Sequence, residues 1–245
     1  MAKYVLKDAR ILFGGYDLSG SSSAIALETM AALKPTTTFT SGGAEEHVPG
    51  LVSVKASASG YRDSASGEDT AIYSSIGGTN APLTAWGTAL AAGSNTYFFN
   101  ALAGTYTPLE GEVGEVARFK FDAQGKDSPL IRGTVFEAGS TARTATGTSS
   151  IIQLGATSAT QKLYTALHVT AASGTTPSLT VTVKSAALVG FGSPTTRATY
   201  AAKTAVGAEW VTPVAGAITD QFYRVDWTIS GTTPSFNFVV VVGIL

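Results

Sequence analysis

The hexapeptide SGTTPS occurs twice in this chain, at Ser173–Ser178 and again at Ser230–Ser235. Each copy lies between two alternating runs, LYTALHVTAA and LTVTVKS around the first and QFYRVDWTI and FNFVVVVGIL around the second. A period of two is typical of half-buried strands, and Gly with Pro in a short segment is typical of a turn. The sequence therefore predicts two β-hairpins, over residues 163–184 and 221–242. Their turn residues are Gly174, Pro177, Gly231 and Pro234.

Two similar hairpins predict a β-sandwich of about eight short strands, similar to a jelly roll. The last strand is apolar at successive positions in FVVVVGIL, which predicts burial on both faces or a place in the middle of a sheet. The stretch EAGSTARTATGTSS has no apolar periodicity and is typical of a linker. We therefore predict a first domain over residues 1–140, a linker over 141–150 and the sandwich domain over 151–245.

The first domain also alternates, in stretches such as KYVLKDARILFGG and VARFKFDAQG, so the predicted class is all-β with one short helix. Glu68 and Asp69 would lie in the first turn of that helix, where the helix dipole favours acids. Ile72 and Ile76 are four residues apart and share one face, and Gly77 would end the helix.

The segment SSSAIALETMAALKP is ambiguous. Its Ala, Leu, Glu and Met favour a helix, which Pro35 would end. Ile25, Leu27 and Thr29 also alternate as in a strand. Local propensity by itself favours the helix.

The composition indicates a folded chain with little surface charge. Hydrophobic residues make up 44% of the 245 residues and charged residues 13%, whereas about 25% is usual. So few charges favour assembly over a solitary subunit. The net charge of −1 does not support nucleic-acid binding, which relies on a basic surface. Residues 1–140 carry 10 Lys and Arg against 14 acids, and residues 141–245 carry 6 against 3.

Signals for catalysis and for metal binding are nearly absent. The chain has no cysteine, which excludes disulfides and thiol chemistry. His47 and His168 lie in different predicted domains, and we expect His168 to be a surface or interface residue in mid-strand. The acids in DSASGED lack the spacing of a calcium loop. We therefore predict no enzyme, no metal and no cofactor.

Three tryptophans leave a carbohydrate-binding function open. Trp86, Trp210 and Trp227 could form a sugar platform, although Trp227 alternates with core positions. The N-terminal residues lack the apolar stretch of a signal peptide, and the longest apolar run is far shorter than the ~20 residues that span a bilayer. We expect synthesis in a cytoplasm and no membrane contact.

Most of the chain resembles one family, the major tail protein of long-tailed, siphovirus-type bacteriophages. The resemblance rests on KYVLKDARILFGGYDLSG, on MAALKPTTTFTSGGAEEHVPGLVSVKASASGYRD and on GTYTPLEGEVGEVARFKFDAQGKDSPLIRGTVFEAG. LKPTTTF is similar to the family's Leu-Asp-Ala-Thr-Thr-Phe pattern, with Lys34 and Pro35 in place of the acid and the alanine. The C-terminal half is similar to the extra domain of some family members.

The resemblance implies a structural virion protein. Six subunits would form a ring, in which the inner strands of each N-terminal β-sandwich join a ring-wide β-barrel. Rings would stack through long loops into a tail tube that encloses the tape measure protein and later conducts DNA to the host. Family members have a strand where SSSAIALETM lies, so this expectation overrides the helical propensity. The C-terminal domain would lie on the outer surface.

The resemblance also suggests residues and partners. The loop over residues 36–49 would make the ring-to-ring contact, and acids in the lumen would repel DNA phosphates. The candidate loop residues are Thr38, Phe39, Glu45, Glu46 and His47. The candidate lumen acids are Glu110, Glu112 and Glu115. Implied partners are further copies and the tape measure, tail terminator and distal tail or baseplate proteins. A host-surface glycan is a candidate ligand of the C-terminal domain. DNA would pass through the tail of the virion without specific binding, after tail assembly in the host cytoplasm. The alternatives are another virion decoration protein or a receptor- or carbohydrate-binding β-sandwich.

Overall fold

A computed structural model describes residues 6–38, 42–63, 68–87 and 91–245. Strands dominate these residues, and the all-β class with one short helix is confirmed. The helix is α1 (Glu68–Ser75). The strands are β1 (Arg10–Phe13), β2 (Tyr16–Asp17), β3 (Ser22–Pro35), β4 (His47–Tyr61), β5 (Ala81–Trp86), β6 (Asn95–Glu110), β7 (Arg118–Gly125), β8 (Ile131–Ala138), β9 (Gly147–Thr148), β10 (Ile152–Gln153), β11 (Lys162–Ala186), β12 (Thr195–Thr199), β13 (Gly207–Trp210), β14 (Val214–Ala215) and β15 (Phe222–Ile244).

The predicted helix is present and short. Asp69 in its first turn accepts hydrogen bonds from Arg62 Nη2 at 3.0 Å and from the Tyr106 hydroxyl at 2.6 Å. Ile72 is buried, whereas Ile76 is exposed, so the helix buries one of the two predicted apolar positions. Gly77 follows with a φ of 64°, a conformation that suits glycine at the end of a helix.

The segment SSSAIALETM is a strand, as the family resemblance implied. β3 pairs antiparallel with β4 from Ser22↔Gly60 to Pro35↔His47. This pairing outweighs the helical propensity of Ala, Leu, Glu and Met. A helix here would satisfy its own backbone groups but would leave those of β4 along this edge without partners.

The two predicted hairpins are wrong. β11 and β15 are single long strands that pair with each other, from Leu163↔Ile244 at one end to Ala186↔Phe222 at the other. Neither SGTTPS segment connects two strand halves that pair with each other. The two copies lie opposite each other in the middle of the ribbon, with Thr175 paired to Thr232.

The two hexapeptides form a corner with local two-fold symmetry. Gly174 and Gly231 have φ values of 115° and 121°, and Thr176 and Thr233 both have 48°. A Cβ added at Gly174 would lie 2.7 Å from the Thr233 carbonyl oxygen, and one at Gly231 would lie 2.7 Å from that of Thr176. Register shifts flank these positions, and such bulges bend a strand sharply.

The corner folds the ribbon back on itself. Trp227 and Phe238 are on the same strand but on opposite sides of the corner, and their rings meet edge to face at a centroid distance of 5.5 Å. Both halves of both strands contribute to one buried cluster, which also contains Phe136, Tyr200 and Ile218. The C-terminal sandwich is therefore built from one folded ribbon instead of two hairpins.

The second half of β15 is buried on both faces, as FVVVVGIL predicted. Phe238, Val240 and Val242 belong to the sandwich cluster. Val239 and Val241 belong to a second cluster, whose other members include Leu12, Trp86, Phe98 and Tyr164. Residues on both sides of the predicted linker thus share one sheet, in which Val241 pairs with Val135 of β8.

The residues group into two compact units. Unit 1 contains Met1–Gly20, Ala81–Asn100 and Ile131–Leu245, and unit 2 contains Ser21–Asn80 and Ala101–Leu130. The division at residues 141–150 stays a prediction. Within the described ranges, no helix is long and apolar enough to cross a membrane.

Unit 2 holds a four-stranded antiparallel sheet and α1. The strand order is β3, β4, β7 and the second half of β6. One face of the sheet is apolar and buried. Its side chains include Val54, Ala56, Ala58, Phe119, Phe121 and Ala123.

Candidate self-assembly surface

The β3–β4 pair extends well beyond the rest of the unit 2 sheet. β7 is in register with β4 only from Lys55↔Gln124 to Tyr61↔Arg118. Beyond that point residues 30–35 and 47–53 pair only with each other among the described strands. We call these residues the free ribbon, which is about 20 Å long at roughly 3.3 Å per residue.

The free ribbon exposes apolar side chains on both of its faces. Leu33 is paired with Pro49, and Val48 is the next residue along that strand, so the two side chains point in opposite directions; they are 64% and 47% exposed. Met30, Leu51 and Val52 are exposed as well. A two-stranded hairpin is marginally stable by itself in water, and contiguous exposed apolar surface marks a contact site. The ribbon is therefore suited to lie against another protein surface.

The predicted stacking loop lies at the tip of the free ribbon. Thr38, Glu45, Glu46 and His47 are exposed there. The loop is closed by the Thr36 N–H, which donates to the Glu46 carbonyl at 2.8 Å, and by the Glu46 N–H, which donates to Thr37 Oγ1 at 2.9 Å. Phe39 lies outside the described residues. The ring-to-ring role of this loop stays a prediction.

The sheet of unit 2 ends in two border strands. β3 pairs with β4 only, in the part of the chain that the structure describes. Within unit 2, residues 101–110 of β6 pair with β7 alone. β3 is a 14-residue border strand whose proline is at its last position, and a long border strand is a template for pairing with another chain. The order of the strands would make the β3 of one copy antiparallel to the β6 of the next.

The second face of this sheet is polar and shallow. Glu28, Lys55, Asp122 and Gln124 line a depression of about 340 Å³ with small residues between them. Lys120 Nζ lies 2.8 Å from Glu110 Oε1 at the end of the same face. Arg118 follows the same alternation on β7 as Lys120 and Asp122. Three acids therefore face three basic residues, and this surface has no net charge.

The predicted lumen acids lie at one end of the sheet. Glu110 is the last residue of β6, and Glu112 and Glu115 are on the turn that follows, where the Glu115 N–H donates to the Glu112 carbonyl at 3.1 Å. Their position in a lumen stays a prediction. We did not single out Glu28, Lys55 and Asp122 from the sequence, although the alternation in VSVKASASG and FKFDAQ could have identified them.

The tryptophans do not form an exposed platform for a sugar. Trp86 and Trp227 are 3% and 4% exposed. Trp210 is half-buried and packs near Phe98 and Tyr164, with ring centroids 5.8 and 6.2 Å away. Sugar stacking requires a free aromatic face, so these residues give the carbohydrate alternative no support. Among the described residues, no group of three or more His, Asp and Glu is placed to hold a metal ion.

No family model matches the chain, and no curated protein matches it. Several solved structures show partial likeness. Three of them are described as a virion of a native gene transfer agent particle, the SPP1 tail tube and the SPP1 Dit protein, a hub of the adsorption apparatus in phages that infect Gram-positive hosts. Their sequence identities are 15%, 13% and 8%, and their TM-scores 0.40, 0.39 and 0.36. The matches cover 52%, 50% and 98% of this chain, and 97%, 75% and 100% of the other chains. TM-scores below 0.5 do not establish a shared fold.

Proposed function

We propose that this protein is a structural subunit of a phage tail tube, which assembles with further copies into stacked hexameric rings in the virion. The free ribbon is the observation that carries the proposal. An exposed two-stranded extension with apolar side chains on both faces is costly in water, and burial between other subunits offsets that cost. The sequence resemblance to tail tube subunits supports the same function.

The ring would form through the border strands of unit 2. Pairing of β3 in one copy with the second half of β6 in the next is a heterologous contact, and such contacts close into rings when the rotation fits. Closure would pair both border strands of unit 2, which removes the hazard of an open edge there. The apolar face of the sheet is already buried, so its polar face would line the lumen.

The rings would stack along the strand direction. The free ribbon leaves the sheet at one end, and the turn after β6 lies at the other end. That turn also exposes apolar side chains, with Leu109 at 67%, Val113 at 107% and Val116 at 64%. If the free ribbon of a subunit in one ring lay on the turn after β6 of a subunit in the next ring, the apolar side chains of both would be buried.

The lumen and the outer surface define the remaining partners. A polar face without net charge would not hold DNA phosphates, so DNA would pass without specific binding. The tape measure protein would occupy the lumen before DNA, and tail terminator and distal tail or baseplate proteins would close the two ends. The sandwich of β11 and β15 would lie on the outside, where a host glycan is a further possible ligand.

The free ribbon provides the test. We expect the double variant Leu33→Glu/Leu51→Glu to remain folded, because both side chains are exposed, and to lose rings and tubes. Assembly is measured by negative-stain electron microscopy and by solution mass, where a ring of the unchanged protein would weigh six times 25.0 kDa. The matched control is Leu188→Glu, which changes a leucine that is 76% exposed in unit 1 and should leave assembly intact.

Two results would contradict the proposal. One is assembly of the double variant at the level of the unchanged protein, which would mean that the ribbon is not an interface. The other is a stable trimer without a central hole, which would favour a decoration or receptor-binding protein.

A further inference from the structure

His168 is buried in the middle of β11, with 0% of its surface exposed, which corrects the expectation of a surface or interface residue. Both ring nitrogens have partners. Nδ1 lies 2.6 Å from the Gly14 carbonyl oxygen, and Nε2 lies 2.7 Å from Thr84 Oγ1. A carbonyl oxygen can only accept, so Nδ1 carries the proton and Nε2 accepts from the threonine hydroxyl. The ring is neutral in this arrangement.

These contacts join three segments of unit 1 that are far apart in sequence. Gly14 is in the turn between β1 and β2, with a φ of 57° that suits glycine. Thr84 is on β5, which pairs with β1 from Arg10↔Trp86 to Phe13↔Leu83. The Gly14 N–H also donates to the Pro82 carbonyl at 3.0 Å. The imidazole of His168 therefore ties the β1–β2 turn and β5 to β11.

Few charges act on the ring. Asp17 on β2 favours its protonation from a distance, but Asp17 also pairs with Arg10 on β1 at 3.4 Å. β5 carries no charged residue. On β13, which pairs with β11, Glu209 is already paired with Lys203 at 2.7 Å. A proton added at Nε2 would thus create a buried positive charge without an adjacent anion.

We propose that His168 is a proton-operated latch, which holds the β1–β2 turn and β5 on β11 while neutral and releases the turn when protonated. The Thr84 hydroxyl could rotate and accept from a protonated Nε2, so the loss of this hydrogen bond is not the cause. The cause is the cost of a buried, unpaired charge, which opening of the turn to water relieves. The latch does not depend on the proposed tail function.

The direction of the pH effect follows from burial. Desolvation lowers the pKa of His168 from 6.5 to about 4, against the opposing effects of the Gly14 hydrogen bond and of Asp17. The closed state, in which the β1–β2 turn and β5 are held on β11, therefore has its full stability above pH 6.5 and loses stability as the pH falls towards 4. Asp220 and Asp226, whose pKa values are lowered below 3.8, act only at lower pH.

Hydrogen exchange tests the latch. On the full chain between pH 7 and pH 4, we expect the opening constant of residues 10–17 to rise by roughly 100-fold after correction for intrinsic rates. Hydrogen exchange in β12, which pairs with the far end of β11, should not show this pH dependence. His168→Asn keeps an N–H donor without a titrating ring and should abolish this pH dependence. His47→Asn, which changes the exposed histidine, should retain it.

Each result is decisive. The latch is overturned if residues 10–17 exchange independently of pH, or if His168→Asn opens with the same pH dependence as the unchanged protein. Titration of the His168 ring by NMR needs no variant and covers the case in which His168→Asn does not fold. A ring that titrates near pH 6.5 in the folded state would also overturn the proposal.

Discussion

Gly231→Ala should lower the free energy of unfolding by about 2–4 kcal/mol, through a strained backbone and a contact with backbone atoms that cannot move aside. At a φ of 121°, alanine is unfavourable. Its Cβ would lie 2.7 Å from the Thr176 carbonyl oxygen and 2.9 Å from Pro177 Cα. Because the corner is two-fold symmetric, Gly174→Ala should cost nearly the same. Denaturant unfolding of the two variants measures both costs.

Gly192→Ala is the matched control. No heavy atom lies within 4 Å of a Cβ at this position, so we expect a change within about 0.5 kcal/mol. At the tips of two separate hairpins, each added methyl group would meet only its own turn, without the clash against the other hexapeptide. Unequal costs, or two costs close to that of the control, would contradict the paired corner.

The hexapeptide shows why local sequence could predict strands here but not their connection. A segment such as SGTTPS, rich in Gly, Pro and Thr, suits both a hairpin tip and a corner in a long pair of strands. The deciding factor is whether the next strand pairs with the preceding one or with a distant strand, and that information is not local. The repetition of the hexapeptide was the available signal for this connection, because two identical bulges opposite each other can bend two paired strands at the same point.

The site was predictable where one face of a strand is buried. Alternation in β4 and β7 is enough to separate the polar face with Lys55 and Asp122 from the buried face. His168 was not predictable in this way, because it alternates with Leu167 and Val169 as a solvent-facing residue would. The N-terminal strands β1 and β5 cover that second face, and their distance in sequence hid the second layer.

Trp227→Ala should cost about 3–5 kcal/mol, the usual range for removing a large buried aromatic side chain. Trp227 is 4% exposed, its Nε1 donates to the Ala145 carbonyl at 3.1 Å, and the Arg143 guanidinium lies 5.2 Å from its ring centroid. Thermal or denaturant unfolding gives the cost. A result below 1 kcal/mol would mean that the ring is not in the core.

A double-mutant cycle with Phe238→Ala extends this test to the fold of the ribbon. In a straight strand, residues 227 and 238 would be about 36 Å apart at roughly 3.3 Å per residue, too far for any contact. Their edge-to-face contact predicts a coupling of about 0.5–1.5 kcal/mol. Trp227 with Phe98, which belongs to the other buried cluster, is the control pair and should couple by less than about 0.5 kcal/mol. Coupling in the first pair alone requires that one continuous strand turns back on itself at SGTTPS, so the cycle measures the function of the repeated hexapeptide directly.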